Sequence, residues 1–429
     1  MAHQFPLSLM MMTMRIIEAA RQRIAEHYKA IEETVLFNQS KVLEAFHKAR
    51  VSSDCFGEST GYAYHDLGRE ALESVYAHVF RGEAALVRPQ IASGTHAISL
   101  CLSILEPDDE LVSISGAPYD TLQMVIGVKG SSRRSLVARG IRYKEVPLRA
   151  DGSLDYDAIA AAVTKSTKMI ALQRSRGYSW RPSISIDQIR EAARVVKEKN
   201  PDCVFFVDNC YGEFVERWEP LEAGADLAAG SLIKNPGGTL AVSGGYIVGR
   251  GDLVELCAEI LTAPHIGGKV GSTFGLTRQL LHGLFLAPHV VGEALYGAML
   301  AAEVFAQLGY EVSPGALEKR TDIVQAIRFD SKEELLAFCR GIQRAAPVDA
   351  HYLPVPSDMP GYDVEVVMAG GTFIQGSSIE LSADAPMREP YIGYLQGGMS
   401  RQHAQIGIAY ALQALAEVNE EIKSLIGEA

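Results

Sequence analysis

The stretch GADLAAGSLIKNPGGTL, residues 224–240, sets one lysine, Lys234, between an apolar run of small residues and a glycine turn. Lysine is almost never buried without a partner, so the run asks for a counter-charge elsewhere in the chain. Upstream, CVFFVD (203–208) reads as a strand that ends on Asp208, and Lys234 follows 26 residues later. Open α/β sheets gather their ligands beyond the carboxyl ends of the strands. A carboxylate and a lysine leaving neighbouring strand ends are either an ordinary, partly buried ion pair or the core of a reactive site, and these two residues do not decide between them.

Outward from this pair the pattern is alternating. Between about 60 and 290, AALVRP, ELVSIS, IRYKEVPL, KMIALQRS, CVFFVD and GGYIVG read as strands separated by helical segments. That alternation predicts an α/β architecture with a mostly parallel sheet. Residues 15–50 repeat apolar side chains at three- and four-residue intervals, which predicts one or two amphipathic helices. Beyond about 295 the pattern changes: AMLAAEVFAQLGY and SKEELLAFCRGIQRA read as helices, DIVQAIRF as a strand, and VEVVMAG with SSIELSAD as a strand pair. The expected organisation is an N-terminal helical segment over 1–60, a large α/β domain over 61–295 and a small α+β domain over 296–429.

At 429 residues the chain is long enough for two or three domains, and 48% hydrophobic with 21% charged residues describes a globular protein. The formal charge of −12 supplies no basic surface for nucleic acid or an anionic membrane. Six cysteines without CxxC pairing suggest neither a zinc site nor a disulfide framework, and reduced thiols in a cytoplasm are expected. The first residues lack a basic leader and a small-residue cleavage site, so they read as a non-targeting extension, and no run has the length of a membrane span.

Two further motifs bear on Lys234. RPQIASGTHAISLCLSIL is a strand-like run, then Ser93-Gly94-Thr95, then an apolar helix; such a loop aims free N–H groups and a positive helix end at an anion, although it is also an ordinary helix cap. SGAPYDTL puts Tyr119 just past the strand ELVSIS. An anion cradle, an aromatic plate, a carboxylate and a lysine, each at a strand end, are the four groups pyridoxal phosphate requires: phosphate site, ring stack, partner for the pyridine nitrogen, and covalent attachment.

TGYAYHDLGRE, RPQIASGTHAI, PYDTL, QRSRGY, VDNCYGEF, GSLIKNPGG and REPYIGYLQGG closely resemble the methionine gamma-lyase family, whose members are often labelled cystathionine beta-lyase-like or aluminium resistance proteins. The resemblance runs from about residue 30 onward. It implies a fold-type I pyridoxal-phosphate enzyme of cysteine and methionine metabolism, in which Lys234 carries the cofactor, Asp208 pairs with its ring nitrogen and Tyr119 stacks on the ring. Ser93, Gly94, Thr95 and Ser231 would bind phosphate. Tyr64 would reach a neighbouring subunit's phosphate, with Arg69 beside it or lying instead on a helix surface. Arg388 would fork the substrate carboxylate, with Arg174 and Arg176 as alternatives; His96 would lie over the ring or cap its helix. Lys269, in the glycine-rich stretch PHIGGKVGSTFG, reads as solvated.

The implied activity is a carbon–sulfur lyase acting on an amino acid of the cystathionine, methionine or cysteine type, by α-proton abstraction and β- or γ-elimination. The alternatives are an aminotransferase or aldolase-type enzyme on the same cofactor, or a non-catalytic, stress-related protein that binds it. The implied partners are a small amino-acid substrate and further copies of the chain in a homotetramer, a dimer of dimers, with no nucleic acid and no membrane. No carboxylate spacing suggests a metal site.

Overall fold

The computed structural model describes residues 7–62, 65–359 and 361–428. It separates into two compact units, Leu36–Pro288 and Met1–Val35 with His289–Ala429. Helix α1 (Leu7–Lys48) is one continuous helix of 42 residues that contributes to both units. The strand runs read from the sequence fall within these units as an α/β fold with a smaller α+β part.

In the larger unit the strands are β1 (Ala84–Arg88), β2 (Glu110–Ser113), β3 (Arg142–Glu145), β4 (Thr167–Gln173), β5 (Val204–Asp208), β6 (Leu227–Ser231) and β7 (Gly245–Gly249). They form one sheet in the order β1-β7-β6-β5-β4-β2-β3. The pairs β2–β3, β2–β4, β4–β5 and β5–β6 are parallel, and β7 runs against both β6 and β1. The helices are α2 (Leu67–Phe80), α3 (Gly94–Leu102), α4 (Asp120–Ile126), α5 (Tyr156–Ala162), α6 (Ile186–Lys199) and α7 (Gly251–Leu261), followed by the start of α8 (Thr277–Gln307). Every residue of β5 is buried; Phe206 faces one apolar cluster, and Phe205 and Val207 face another on the opposite side. A strand covered on both faces has no polar side to alternate with, which is why VFFV reads as a continuous apolar run.

Caps written in the sequence start the helices. Asp66 accepts from Arg69 N, Ser93 from His96 N, Asp155 from Ala158 N, and Ser185 with Gln188 forms a reciprocal capping box on α6. These short polar residues satisfy amides that have no acceptor inside the helix.

The smaller unit holds β8 (Glu311–Ser313), β9 (Gln325–Phe329), β10 (Val366–Ala369), β11 (Ser382–Pro386) and β12 (Tyr391–Gln396), antiparallel throughout in the order β10-β11-β12-β9-β8. Helices α9 (Lys332–Arg344), α10 (Arg401–Ala416) and α11 (Glu420–Glu428) complete it. Its core joins Ile17, Ile24, Phe305, Phe338, Leu381 and Leu412. The second strand of the pair expected at 377–384 begins later, at Ser382, because Ser378 to Leu381 form bends before it. Among the described residues α8 is the one helix long and apolar enough to cross a membrane, and 83% of the qualifying window is buried inside the protein.

Candidate active site

Strands β5 and β6 are parallel neighbours, with Asp208 in register with Ala229, so Asp208 and Ser231 leave the sheet at the same edge. Three residues beyond Ser231, Lys234 opens a short 3₁₀ turn, Asn235–Gly237. Asp208 is buried, and its Oδ1 accepts from Cys210 N at 3.1 Å. Burial pushes its carboxyl up, while the charge of Lys234 and the Cys210 N–H pull it down. For Lys234 burial acts to lower the pKa, but Cys210, Tyr211, Asp208 and Tyr119 together outweigh it and hold the amine above the ordinary lysine range. The counter-charge that the opening stretch lacked is thus a field of several groups, Asp208 among them.

The other expected residues converge on the same edge. A Cβ on Gly94 would lie 3.2 Å from Ser231 Cβ and 3.3 Å from Cys210 Sγ, so only glycine lets the start of α3 lie this close to the ends of β5 and β6. At that helix start Ser93 Oγ takes the amide of His96, and the Gly94 and Thr95 amides have no acceptor within the helix. Thr95 Oγ1 and the Tyr119 hydroxyl are 2.9 Å apart. The Tyr119 amide donates to Gln173 Oε1 at 3.0 Å, and Gln173 ends β4 in register with Asp208. The residues present therefore offer free amides and hydroxyls for a phosphate, an aromatic ring, a buried carboxylate and a lysine amine within one sheet edge. That donor set fits pyridoxal phosphate.

Other candidates stand elsewhere. Tyr64 lies outside the described residues. Arg388 belongs to the smaller unit and is exposed in the turn between β11 and β12. Arg174 is fully buried and donates to Asn209 Oδ1 at 2.7 Å, Gly212 O at 2.9 Å and Glu216 Oε2 at 2.9 Å. That network commits it to holding the loop after β5, and its own amide donates to Asp208 O at 3.1 Å. Arg176 is likewise buried. Arg69 is inside the protein rather than on a helix surface: its guanidinium donates to the carbonyls of Lys269 at 2.8 Å and Gly271 at 3.3 Å. Arg88 and Gln90 donate to Gly268 O and Ser272 O in the same glycine-rich stretch, while the Lys269 side chain is exposed. His96 Nδ1 accepts from Ala92 N at 3.1 Å, so its ring closes its own turn.

Two residues of the site escaped the sequence reading. The Lys234 ammonium lies 3.9 Å from the centre of the Tyr211 ring, within the reach of a cation–π contact. Tyr211 has φ 71°, a left-handed backbone that is costly for a non-glycine residue and that aims its ring at the lysine. Glu213, two positions on, is fully buried and accepts from the Tyr246 hydroxyl at 2.8 Å. Neither forms a motif; the clue available was the density of polar residues in DNCYGEFVE directly after an all-apolar strand.

Known proteins share this arrangement of sequence and fold. The model of the methionine gamma-lyase family matches residues 13–416. The protein YnbB of Bacillus subtilis, described as uncharacterized, is 50% identical over 396 residues, covering 92% of this chain and 94% of its own length. A crystal structure from Clostridium novyi NT, described as a carbon-sulfur lyase involved in aluminum resistance, is 46% identical with a TM-score of 0.90, over 93% of this chain and 95% of that one. Another from Listeria monocytogenes, described with reservation as a cystathionine beta-lyase involved in aluminum resistance, is 50% identical with a TM-score of 0.92, over 94% of this chain and all of that one. The fold is thus that of the fold-type I pyridoxal-phosphate enzymes. With the family model matching residues 13–416 and nearly its whole length in common with these proteins, the chain belongs to the methionine gamma-lyase family.

Proposed function

We propose that the protein is a pyridoxal-phosphate-dependent carbon–sulfur lyase that acts on a sulfur-containing amino acid by α-proton abstraction and β- or γ-elimination. The observation that carries this reading is the placing of buried Asp208 and of Lys234 beyond the ends of parallel strands β5 and β6, beside the start of α3. Bound there, the cofactor would supply an electron-accepting ring that makes the α-hydrogen of the amino acid acidic. The protein's residues would do the rest. The Gly94 and Thr95 amides and the Ser93, Thr95 and Ser231 hydroxyls would hold the phosphate. Asp208 would keep a proton on the ring nitrogen, as a buried carboxylate stabilises an adjacent cation. Tyr119 would hold the ring, and Lys234 Nζ would take the α-proton and return it to the departing group or product.

Tyr211 keeps the Lys234 amine aimed while it is free, because its ring face attracts the ammonium without fixing it by a directional bond. Arg388 is the group assigned to the substrate carboxylate, since guanidinium binds carboxylate through two parallel bonds. The carbon–sulfur class rests on family membership and on the description of the Clostridium novyi protein. We further propose a cytoplasmic homotetramer in which Tyr64 serves a neighbour's phosphate; the six buried, unpaired cysteines accord with a reducing compartment.

Purified protein is expected to be yellow and to release a keto acid and ammonia from at least one of cystathionine, methionine, homocysteine or cysteine, with Lys234→Ala abolishing both colour and turnover. A wild type that stays colourless with added cofactor overturns the reading, whereas a new amino acid formed from an added keto acid would point to an aminotransferase. Tyr211→Phe should retain most activity and Tyr211→Leu should lose about 1–2 kcal/mol of transition-state stabilisation, roughly a tenfold drop in kcat/KM; equal rates for the two would remove the ring from its role. Arg388→Met is expected to cost about 2–5 kcal/mol in kcat/KM, and an unchanged value would send the search for the carboxylate fork elsewhere. A native mass equal to that of one chain would refute the tetramer.

A further inference from the structure

Glu213 is a buried acid without a counter-ion. It is fully inaccessible, yet no lysine, arginine or histidine among the described residues ion-pairs with it. One carboxyl oxygen, Oε1, accepts from the Tyr246 hydroxyl at 2.8 Å; the other, Oε2, has no hydrogen-bond partner among the described residues. Its neighbours contrast with it. Glu216 takes Arg174 at 2.9 Å, and Glu219 has Lys41 at 4.0 Å and Arg174 at 3.9 Å. Lys41 and Arg174 are thus engaged by Glu216 and Glu219, and Glu213 has neither. Removing an unpaired carboxylate from water costs far more than removing the neutral acid.

The location gives that choice a consequence. Glu213 sits under the lysine-bearing turn: its main-chain carbonyl accepts from Asn235 Nδ2 at 3.0 Å, and Asn235 adjoins Lys234. A Cβ on Gly230 in β6 would come within 2.6 Å of Glu213 Oε1 and of the Tyr246 ring, so the strand gives up a side chain to seat this pair. The groups that face Glu213 are Tyr76 on α2, Tyr246 on β7, Cys210 and Glu219 on its own loop, and Lys234 beyond β6.

We propose that Glu213 is carried as an uncharged carboxylic acid, a positioning residue whose retained proton keeps a second negative charge away from Lys234. Lys234 has to surrender and regain a proton, and an additional carboxylate beside it would hold the ammonium form. Burial pushes the Glu213 carboxyl up to about 8, against the downward pull of its own backbone amide, the Tyr246 hydroxyl and Lys234. The acid is therefore neutral at neutral pH, and ionises only above it. This rests on Lys234 as the reactive lysine, but the charge state of Glu213 does not.

Infrared spectroscopy of the protein as purified tests the charge state. The wild-type minus Glu213→Gln difference at pH 6 should contain the carbonyl stretch of a protonated carboxyl, and in the wild type that band should fade as pH rises through about 8. A carboxylate signature at pH 6 in its place overturns the proposal. Tyr246→Phe removes the single donor to Oε1 and should move the band to higher frequency, so the band is assignable even if Glu213→Gln does not fold; an unmoved band counts against the assignment. Stability offers a second reading. The folded state keeps a proton that the unfolded chain releases above about 4.3, so the wild type loses stability relative to Glu213→Gln as pH rises from there to about 8, and the gap then levels off. A constant gap contradicts the neutral acid.

The effect on Lys234 is read from the alkaline titration of its nitrogen. If the protein is coloured the visible band reports it; if colourless, the rate of acylation by an amine-directed reagent, located by mass spectrometry, reports it. Glu213→Gln should move that titration to lower pH by on the order of one unit without altering behaviour at neutral pH. An unshifted titration overturns the positioning role. A colourless protein would refute the proposed function while leaving the infrared and stability results to decide the state of Glu213.

Discussion

The burial of Asp208 beside the half-buried Lys234 at one edge of the sheet constrains everything placed around them. Neither charge is favoured there alone, since Asp208 would lose nearly all of its hydration and Lys234 part of it for no return. Together they require β5 and β6 to be parallel neighbours in a fixed register, and the Ala229 opposite Asp208 shows that register. The loop between these strands is then fixed from below by Arg174, which holds Asp208 through its amide and Asn209 and Gly212 through its guanidinium. Asn209 in turn donates to Glu219 Oε2 at 3.0 Å. The Asp208 carboxylate is held in place because the residue after it is locked into a buried network.

The small residues around the site follow from the large polar ones. Gly212 has no room for a Cβ, which would lie 2.5 Å from Arg174 Cδ. Gly230 yields to Glu213 and Tyr246, and Gly94 to Ser231 and Cys210. Where polar side chains need buried space next to a sheet, the backbone supplies it by omitting side chains. The strained φ of Tyr211 belongs to the same economy of space: the turn must bring its ring under Lys234 within three residues of Asp208. Such strain persists only where the surroundings over-determine it, and here Cys210, Asn209 and Gly212 on either side are all held by hydrogen bonds.

Much of this was legible in the sequence. The apolar runs of β1, β4, β5, β7 and β9 and the capped starts of α3 and α9 were readable because burial and capping are local demands written in residue type. The chain order of Gly94, Tyr119, Asp208 and Lys234 pointed to a common edge through the strand ends that precede them. Strand β6 was not among the strand-like runs, although it carries Ser231 and leads to Lys234. Its residues, LAAGS, lack the β-branched and aromatic side chains that mark strands, and at Gly230 Glu213 and Tyr246 occupy the space a side chain would fill.

What the sequence by itself determined is therefore the class of fold and the placing of a lysine, a carboxylate, a tyrosine and a capped helix start at strand ends, all of them set by periodicity, capping and residue chemistry. Tertiary structure alone decided which charges are shared. It placed Arg174 and Arg69 inside the protein as clamps on loops, brought Tyr211 under Lys234, and left Glu213 as the acid without a counter-ion. The physical reason is that the strength of a charge depends on how much water remains around it and which partner comes within a few ångströms, and both are settled only when segments distant in the chain are packed together.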